Sequence, residues 1–284
     1  MDDPADRILD LSQAACASTS PPSQTNSIMN RDTYMKLRYI GLFATTAALF
    51  CPTWAVADGL FSNGNFSIGA GVLSSSGIYK GEKSEAGFFP FLSYDSDRLH
   101  VGFDGIGLHV LNQDNVELTL LLGPGDSPDF PNKNPLFAGL KRGTPVDAGF
   151  EAAYDFDAFY VAGGAMVDVS SEHKGYQAEA KIGSEFMLGE VGIDIGAGAR
   201  FRDQKLNNFL YGVSAAEANG LRSAYDVGGT SEPFVDMTVS YLVSDDVILM
   251  GFMEYHPLDK KVHGSPLTNG KDSYSVGLGL IYSF

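Results

Sequence analysis

Five histidines are the first candidates for chemistry in this chain: His100, His109, His173, His256 and His263. Imidazole titrates near neutrality and ligates transition metals, so histidines at ligand spacing, or one beside a serine and a carboxylate, would mark a metal or nucleophilic centre. Neither pattern is present: no H-E-x-x-H and no G-x-S-x-G occurs. His100 and His109 fall in an irregular stretch from Arg98 to Leu111, and the other three sit at strand ends or in loops. The histidines therefore read as surface or rim groups, and the chain reads as no enzyme, with no catalytic, cofactor or metal residue assigned. A barrel hydrolase could still assemble Ser, His and a carboxylate from separate strands near a lipid-facing rim, and distance in sequence does not exclude it.

A second set is larger and more regular. Asp147, Glu151, Asp155, Glu179, Glu185, Asp194 and Asp236 face Lys181, Arg200 and Arg202 in number and in parity. Around an open channel such an excess of carboxylates would favour cations. In a small barrel the same charges can instead pair across a filled interior.

Their position depends on strands that alternate with period two. In the last stretch, Tyr274, Val276, Leu278, Leu280, Tyr282 and Phe284 share one parity, and Ser273, Ser275, Gly277, Gly279 and Ser283 the other, with Ile281 the exception. Aromatics end the oily row, where a spanning strand would meet the two water interfaces. The pattern recurs from Phe66 to Val72, Val116 to Leu122, Val146 to Phe156, Phe159 to Val169, Tyr176 to Leu188, Val191 to Arg202 and Val235 to Val243. Phe88 to Tyr94 is a further stretch of this kind, and Val247 to His256 alternates less cleanly. From Val146 onward each stretch has at least the roughly 9 to 11 residues that a tilted strand needs to cross a bilayer. All the charges above share the Gly and Ser parity, so that parity must line a lumen. The reverse would set Lys181 and Arg200 in hydrocarbon at about 2 to 4 kcal/mol each near the midplane.

Connections alternate as well. Tight turns at 95–97, 112–115, 155–157, 188–189 and 244–246 interleave with long loops at 74–86, 123–145, 170–175, 203–231 and 257–270. Short periplasmic turns and long external loops are the habit of outer-membrane barrels. If Arg98 to Leu111 is an up-and-down pair, the fold is an all-β, antiparallel, up-and-down transmembrane β-barrel of twelve strands; if it is a single strand, ten. No stretch after Asp58 holds 18 consecutive apolar residues, which argues against a helical membrane protein.

Before the barrel the chain changes character twice. Residues 1 to 34 are polar and irregular, an upstream extension by this reading. From Met35, the basic Lys36 and Arg38, the apolar run Tyr39 to Phe50 and Ala55-Val56-Ala57 make a secretory leader ending at residue 57. Its removal would take away Cys16, Cys51 and Trp54 and leave residues 58–284 without cysteine, hence without a disulfide framework or thiolate centre. The formal charge of the whole chain, −16, argues against nucleic acid as a partner.

Asn208 to Gly229 reads N-F-L-Y-G-V-S-A-A-E-A-N-G-L-R-S-A-Y-D-V-G-G and is too apolar for a passive connection, which suggests a plug in the mouth or a partner surface. It resembles a run typical of the MltA-interacting protein (MipA)/OmpV family, at Tyr211, Gly212, Val213, Ser214, Glu217, Ala218, Gly220, Leu221, Tyr225, Gly228 and Gly229. Phe66 to Gly81, Gly105 to Leu108 and Gly277 to Phe284 are similar to that family too, while Pro124 to Thr144 has no counterpart in it. The resemblance implies an outer-membrane barrel without a cofactor, in contact with lipid and lipopolysaccharide and handled by the barrel assembly machinery through its terminal strand. It further implies either a scaffold joining a lytic transglycosylase to a peptidoglycan synthase, or a porin-like channel.

Overall fold

The computed structural model describes residues 60 to 284 apart from 62, 114 and 132. The upstream extension and the leader lie outside the described residues. Twelve strands follow in order: β1 (Asn65–Ser75), β2 (Glu85–Asp95), β3 (Leu99–Gly102), β4 (Gly105–Gln113), β5 (Val116–Pro124), β6 (Val146–Asp155), β7 (Tyr160–Asp168), β8 (Tyr176–Leu188), β9 (Val191–Arg202), β10 (Thr230–Ser244), β11 (Val247–Pro257) and β12 (Asp272–Ser283). Each pairs with its neighbours in sequence, and β12 returns to β1 from Ser67↔Ser283 to Ser75↔Ser275, so the sheet is a closed antiparallel barrel. Closure pairs the first strand with the last, so that among the described residues the long stretch of wall left with a strand on one side only is β2 from Glu85 to Ser93.

The outward face is apolar and uncovered. Ile68, Val72, Val276, Leu278 and Leu280 are each about half exposed, an apolar surface that needs hydrocarbon against it. Around the short-turn rim aromatic rings gather: Phe284 lies 5.7 Å from Phe66 and 4.8 Å from Tyr282, and Phe156 lies 4.5 Å from Tyr154 and 4.8 Å from Phe159. Such a girdle belongs at the level of the lipid headgroups.

Arg98 to Leu111 resolves into the end of a turn followed by two strands, which makes the count twelve. The hairpin turns back at Phe103 and Asp104, and Gly105 there has φ +128°. A Cβ on Gly105 would stand 2.3 Å from the carbonyl oxygen of Leu122, so both the backbone angle and the packing require glycine. β3 is short, and pairs with β2 only at Tyr94↔Val101 and Asp95↔His100.

Two irregularities in the alternation have one cause. Ile281 is buried on the inner face against Ile248 and Met250, with Phe91, Leu242 and Phe252 packed around them. One sector of the lumen, from β10 through β12 to β2, is therefore apolar, which blurs the period in β2 and β11.

The loop expected over 203–231 also contains structure. Asp203 caps a helix, α1 (Gln204–Tyr211), by accepting from the Leu206 amide, and Leu206, Phe209 and Leu210 fall on one helical face. A second short helix, α2 (Lys260–His263), lies in the connection after β11. β10 begins at Thr230, opposite Arg202, so the wall runs farther on this side than the period alone suggests.

Candidate functional site

Inside the barrel the charges form a ladder along β8 to β11. Lys181 Nζ lies 2.5 Å from Asp236 and 3.5 Å from Asp194, whose carboxylate also accepts from the Tyr160 hydroxyl at 2.9 Å. Arg200 donates to Glu179 at 2.8 Å and to Glu254 at 3.2 Å, with its guanidinium 5.2 Å from the Phe234 ring centre. Arg202 donates to Glu232 at 2.8 Å and sits 3.4 Å from Asp126. Every cation of the sequence set thus has two acidic neighbours. Glu185 is half-buried opposite Asp194, and Asp155 accepts from the Asp157 amide at the short-turn rim, away from the ladder. Glu151 shares its face with Thr119, its register partner, and is exposed to solvent within the lumen.

Three members of the ladder escaped the sequence reading. Glu232 lay close to the presumed loop, Asp126 lay inside one, and Glu254 sat in the strand whose alternation was blurred. The signal that could have found Glu232 and Glu254 is their parity with Asp236 and Ile248.

The histidines correct an expectation. His100 and His173 are buried, not surface groups. Because the β3–β4 hairpin turns inward residues toward the lumen, His100 is held between Asp95 at 2.5 Å and Asp104 at 2.8 Å. His109 Nδ1 lies 2.8 Å from the Thr119 hydroxyl, His256 is half-buried and His263 exposed. His173, Asp147 and Asp168 offer three ligand atoms within 4.8 Å of one another. Yet the Gly175 amide donates to His173 Nδ1, which leaves Nε2 to donate to Asp147 at 3.2 Å. Asp168 accepts from the amides of Ser170, Ser171, His173 and Lys174. Those lone pairs order the β7–β8 loop, and the group reads as a turn clasp rather than as a metal centre.

Above the ladder four long connections fold together over the mouth. Tyr79, Phe137, Leu206, Phe209, Leu210, Tyr211, Val213, Val227, Leu258, Val262 and Leu267 make one buried apolar cluster. Burial on this scale makes a folded lid of what would otherwise be loose loops, each fully buried large side chain contributing about 1.5–3 kcal/mol. Asn207, wholly buried, donates to the carbonyls of Arg202 and Gly228 and to the Thr230 hydroxyl, tying α1 to the β9–β10 ladder. Tyr79 donates to the Leu210 carbonyl and Ser265 to that of Tyr211, and burial pushes the Tyr211 hydroxyl up to about 12.

The loop motif is the centre of this lid. Tyr211, Gly212 and Val213 are buried, Val213 bridges to Tyr225, and Tyr225 donates to the Lys261 carbonyl. Ser214 donates to Glu217, Gly228 has φ +70°, and Gly220 and Leu221 are exposed at the tip. Two arginines staple the motif to residues 124–144: Arg142 to Glu217 at 2.6 Å and to the Phe209 carbonyl, Arg222 to the carbonyls of Leu136, Ala138 and Glu217.

The Arg142 guanidinium, with the Ser214 amide and hydroxyl, holds the Glu217 carboxyl down at about 2 against an ordinary 4.5. A depressed acid stabilises the fold above its unfolded value and stops doing so as pH falls through the folded one. The staple should therefore hold unchanged from pH 9 to 5 and weaken from about pH 4.5 toward 2. At neutral pH, Glu217→Gln removes the charge, at about 1–3 kcal/mol for an ion-paired hydrogen bond. Trypsin cleavage after Arg142 in detergent micelles should then accelerate about tenfold or more; an unchanged rate would show that the staple does not hold the loop.

Comparison with known proteins locates the chain. A family model described as MltA-interacting protein MipA matches residues 68–284. The outer membrane protein Omp26La of Vibrio anguillarum is 25% identical over 258 residues, covering 87% of this chain and all of that protein (100%). The outer membrane protein OmpV of Vibrio cholerae is 24% identical over 258 residues, with the same coverage of 87% and 100%. The MltA-interacting protein of Escherichia coli is 24% identical over 268 residues, covering 89% of this chain and 100% of that protein.

Proposed function

This chain belongs to the MltA-interacting protein MipA family, and from that premise we propose that it serves the outer membrane as a closed anchoring barrel, a scaffold for murein-degrading and murein-synthesising enzymes on its periplasmic side. The observation that carries the reading is the lid: long loops that could have left a channel open share a buried apolar cluster over its mouth. Below the lid, Lys181, Arg200 and Arg202 are each held by carboxylates, which favours a braced interior over a conducting one. A relative carries the name MltA-interacting protein, which supports a murein enzyme as the class of partner.

The surface left for such partners is the short-turn rim, where Asp97, Asp157, Glu190, Asp245 and Asp246 are all exposed. A partner with a basic face fits there electrostatically, and contacts of that kind weaken with salt. Affinity capture from solubilised envelope, with the full chain as bait, should recover a lytic transglycosylase and a peptidoglycan synthase at low salt and lose them as salt rises. Recovery of lipopolysaccharide and the barrel assembly machinery alone would overturn the scaffold reading. The second reading, a porin-like path with cation preference, draws support from the solvent-exposed Glu151 and is separated from the first by conductance.

A further inference from the structure

One part of the barrel wall stops short. The β3–β4 hairpin turns back at Phe103 and Asp104, after β3 has paired with only Tyr94 and Asp95 of β2. From Glu85 to Ser93, β2 continues toward the long-loop rim with β1 as its only strand partner among the described residues. The wall is therefore interrupted on the outer half for at least two strand spacings, about 10 Å. A bare strand edge at membrane depth is costly, since each unpaired backbone group in hydrocarbon forfeits several kcal/mol. Pro90, lacking an N–H, removes one of the donors from that edge.

The inner face of the barrel carries two unlike groups, one on β2 and one on β6. On β2, Phe89 covers Gly71, where a Cβ would come within 2.6 Å of its ring, and Phe91 packs on the apolar sector of Met250, Phe252 and Ile281. On β6 stands Glu151, on the inner face, solvent-exposed, and without a hydrogen-bond or ion-pair partner among the described residues. The charges near enough to act on it are those of Glu179, Asp104 and His100; Arg200 is committed to Glu179 and Glu254, and His100 to Asp95 and Asp104. Glu179, Asp194, Glu232, Asp236 and Glu254 each lie within 3.5 Å of a basic nitrogen; Glu151 has no such neighbour among the described residues. On its other face β2 presents Phe88 and Leu92, exposed toward lipid, while the lid covers the axial route.

We propose that this part of the lumen binds a single-chain amphiphilic cation, its apolar tail against Phe89 and Phe91 and its ammonium group on Glu151, admitted sideways from the outer leaflet beside β2, over the turn of the β3–β4 hairpin. The site explains together three features that have no role in bracing the barrel: an uncompleted wall, an apolar inner sector and an unpaired carboxylate. It is independent of the scaffold reading, because it uses none of the short-turn rim.

The test uses the full chain in lipid nanodiscs, titrated calorimetrically with decylamine, with decanoate and ethylamine as comparison probes and empty discs as the partition baseline. Decylamine should show a saturable component near one per barrel that empty discs lack, and neither decanoate nor ethylamine should show it. Glu151→Gln, close to isosteric, should weaken that component about tenfold or more, as expected for loss of a charge-assisted contact; Phe89→Trp should report the same binding by fluorescence. Glu217→Gln, which loosens the lid, should leave the association rate unchanged. Equal affinity in Glu151→Gln, saturable binding of decanoate, or no component above partition would overturn the site. A faster association in Glu217→Gln would overturn the lateral route.

Discussion

Excision of residues 204–228 is expected to convert a silent barrel into a conducting one. Arg202 and Thr230 are register partners at the ends of β9 and β10, so joining Asp203 to Gly229 closes the two strands with an Asp-Gly turn suited to a tight hairpin. The excision takes away α1 and most of the motif, and with them Leu206, Phe209, Leu210, Tyr211, Val213 and Val227, half or more of the apolar cluster over the mouth. None of the strand ladders is touched, and shortening a surface connection costs the wall little. In planar bilayers the intact chain should give no steady current, and the shortened one should give discrete steps. The exposed path would pass Glu151, Glu179 and Asp236 and should prefer cations. Steady cation-preferring steps from the intact chain would favour the porin-like reading over the scaffold. Silence from a correctly folded shortened chain would show that the braced interior, not the lid, closes the barrel.

The wall was legible in the sequence because lipid enforces its alternation. A strand such as β12, oily on one face from Tyr274 to Phe284 and small on the other, has one placement that keeps Lys181 and its neighbours out of hydrocarbon. The alternation failed where the lumen itself is apolar. Phe89, Phe91, Ile248, Met250 and Ile281 point inward, so β2 and β11 carry oil on both faces and the period loses its contrast. Arg98 to Leu111 was ambiguous for another reason: β3, from Leu99 to Gly102, is too short to show a period at all. Only the strict up-and-down alternation of turns and loops required a pair there.

The interior partnerships were less accessible. Parity could place Arg200 and Arg202 inside, but which carboxylates meet them depends on the stagger between strands, which no single strand reveals. Glu254 reaches Arg200 across β10, and Asp126 reaches Arg202 from a loop. The lid was visible as composition, too many aromatics for a solvated loop, without its partners. The helical face of Leu206, Phe209 and Leu210 after a capping Asp203 was present in the sequence, while the docking of Tyr79, Phe137 and Val262 upon it was a tertiary event.

Arg202→Met should be the most destabilising single change in the ladder, at about 3–5 kcal/mol, the range for breaking a buried ion pair from one side. The reason is what stays behind. The side chain of Glu232 is 2% exposed, and its charge would lose the cation 2.8 Å away and keep only the Asp259 amide. Asp126 would face it without compensation. Lys181→Met should cost less, because Lys181, Asp194 and Asp236 all retain 14 to 19% of their side-chain surface in contact with water, which can rehydrate the acids. Urea unfolding of the chain in lipid vesicles, followed by gel mobility with and without heating, measures both. Pairing Arg202→Met with Glu232→Gln removes the stranded charge as well and should recover a large part of the loss. If Arg202→Met costs below about 1 kcal/mol, as an exposed pair would, water reaches the base of the lid and the upper lumen is wet. If the double variant recovers stability, the ladder is a brace between the wall and the lid, with Arg202 placed where Asn207 ties α1 to its strand.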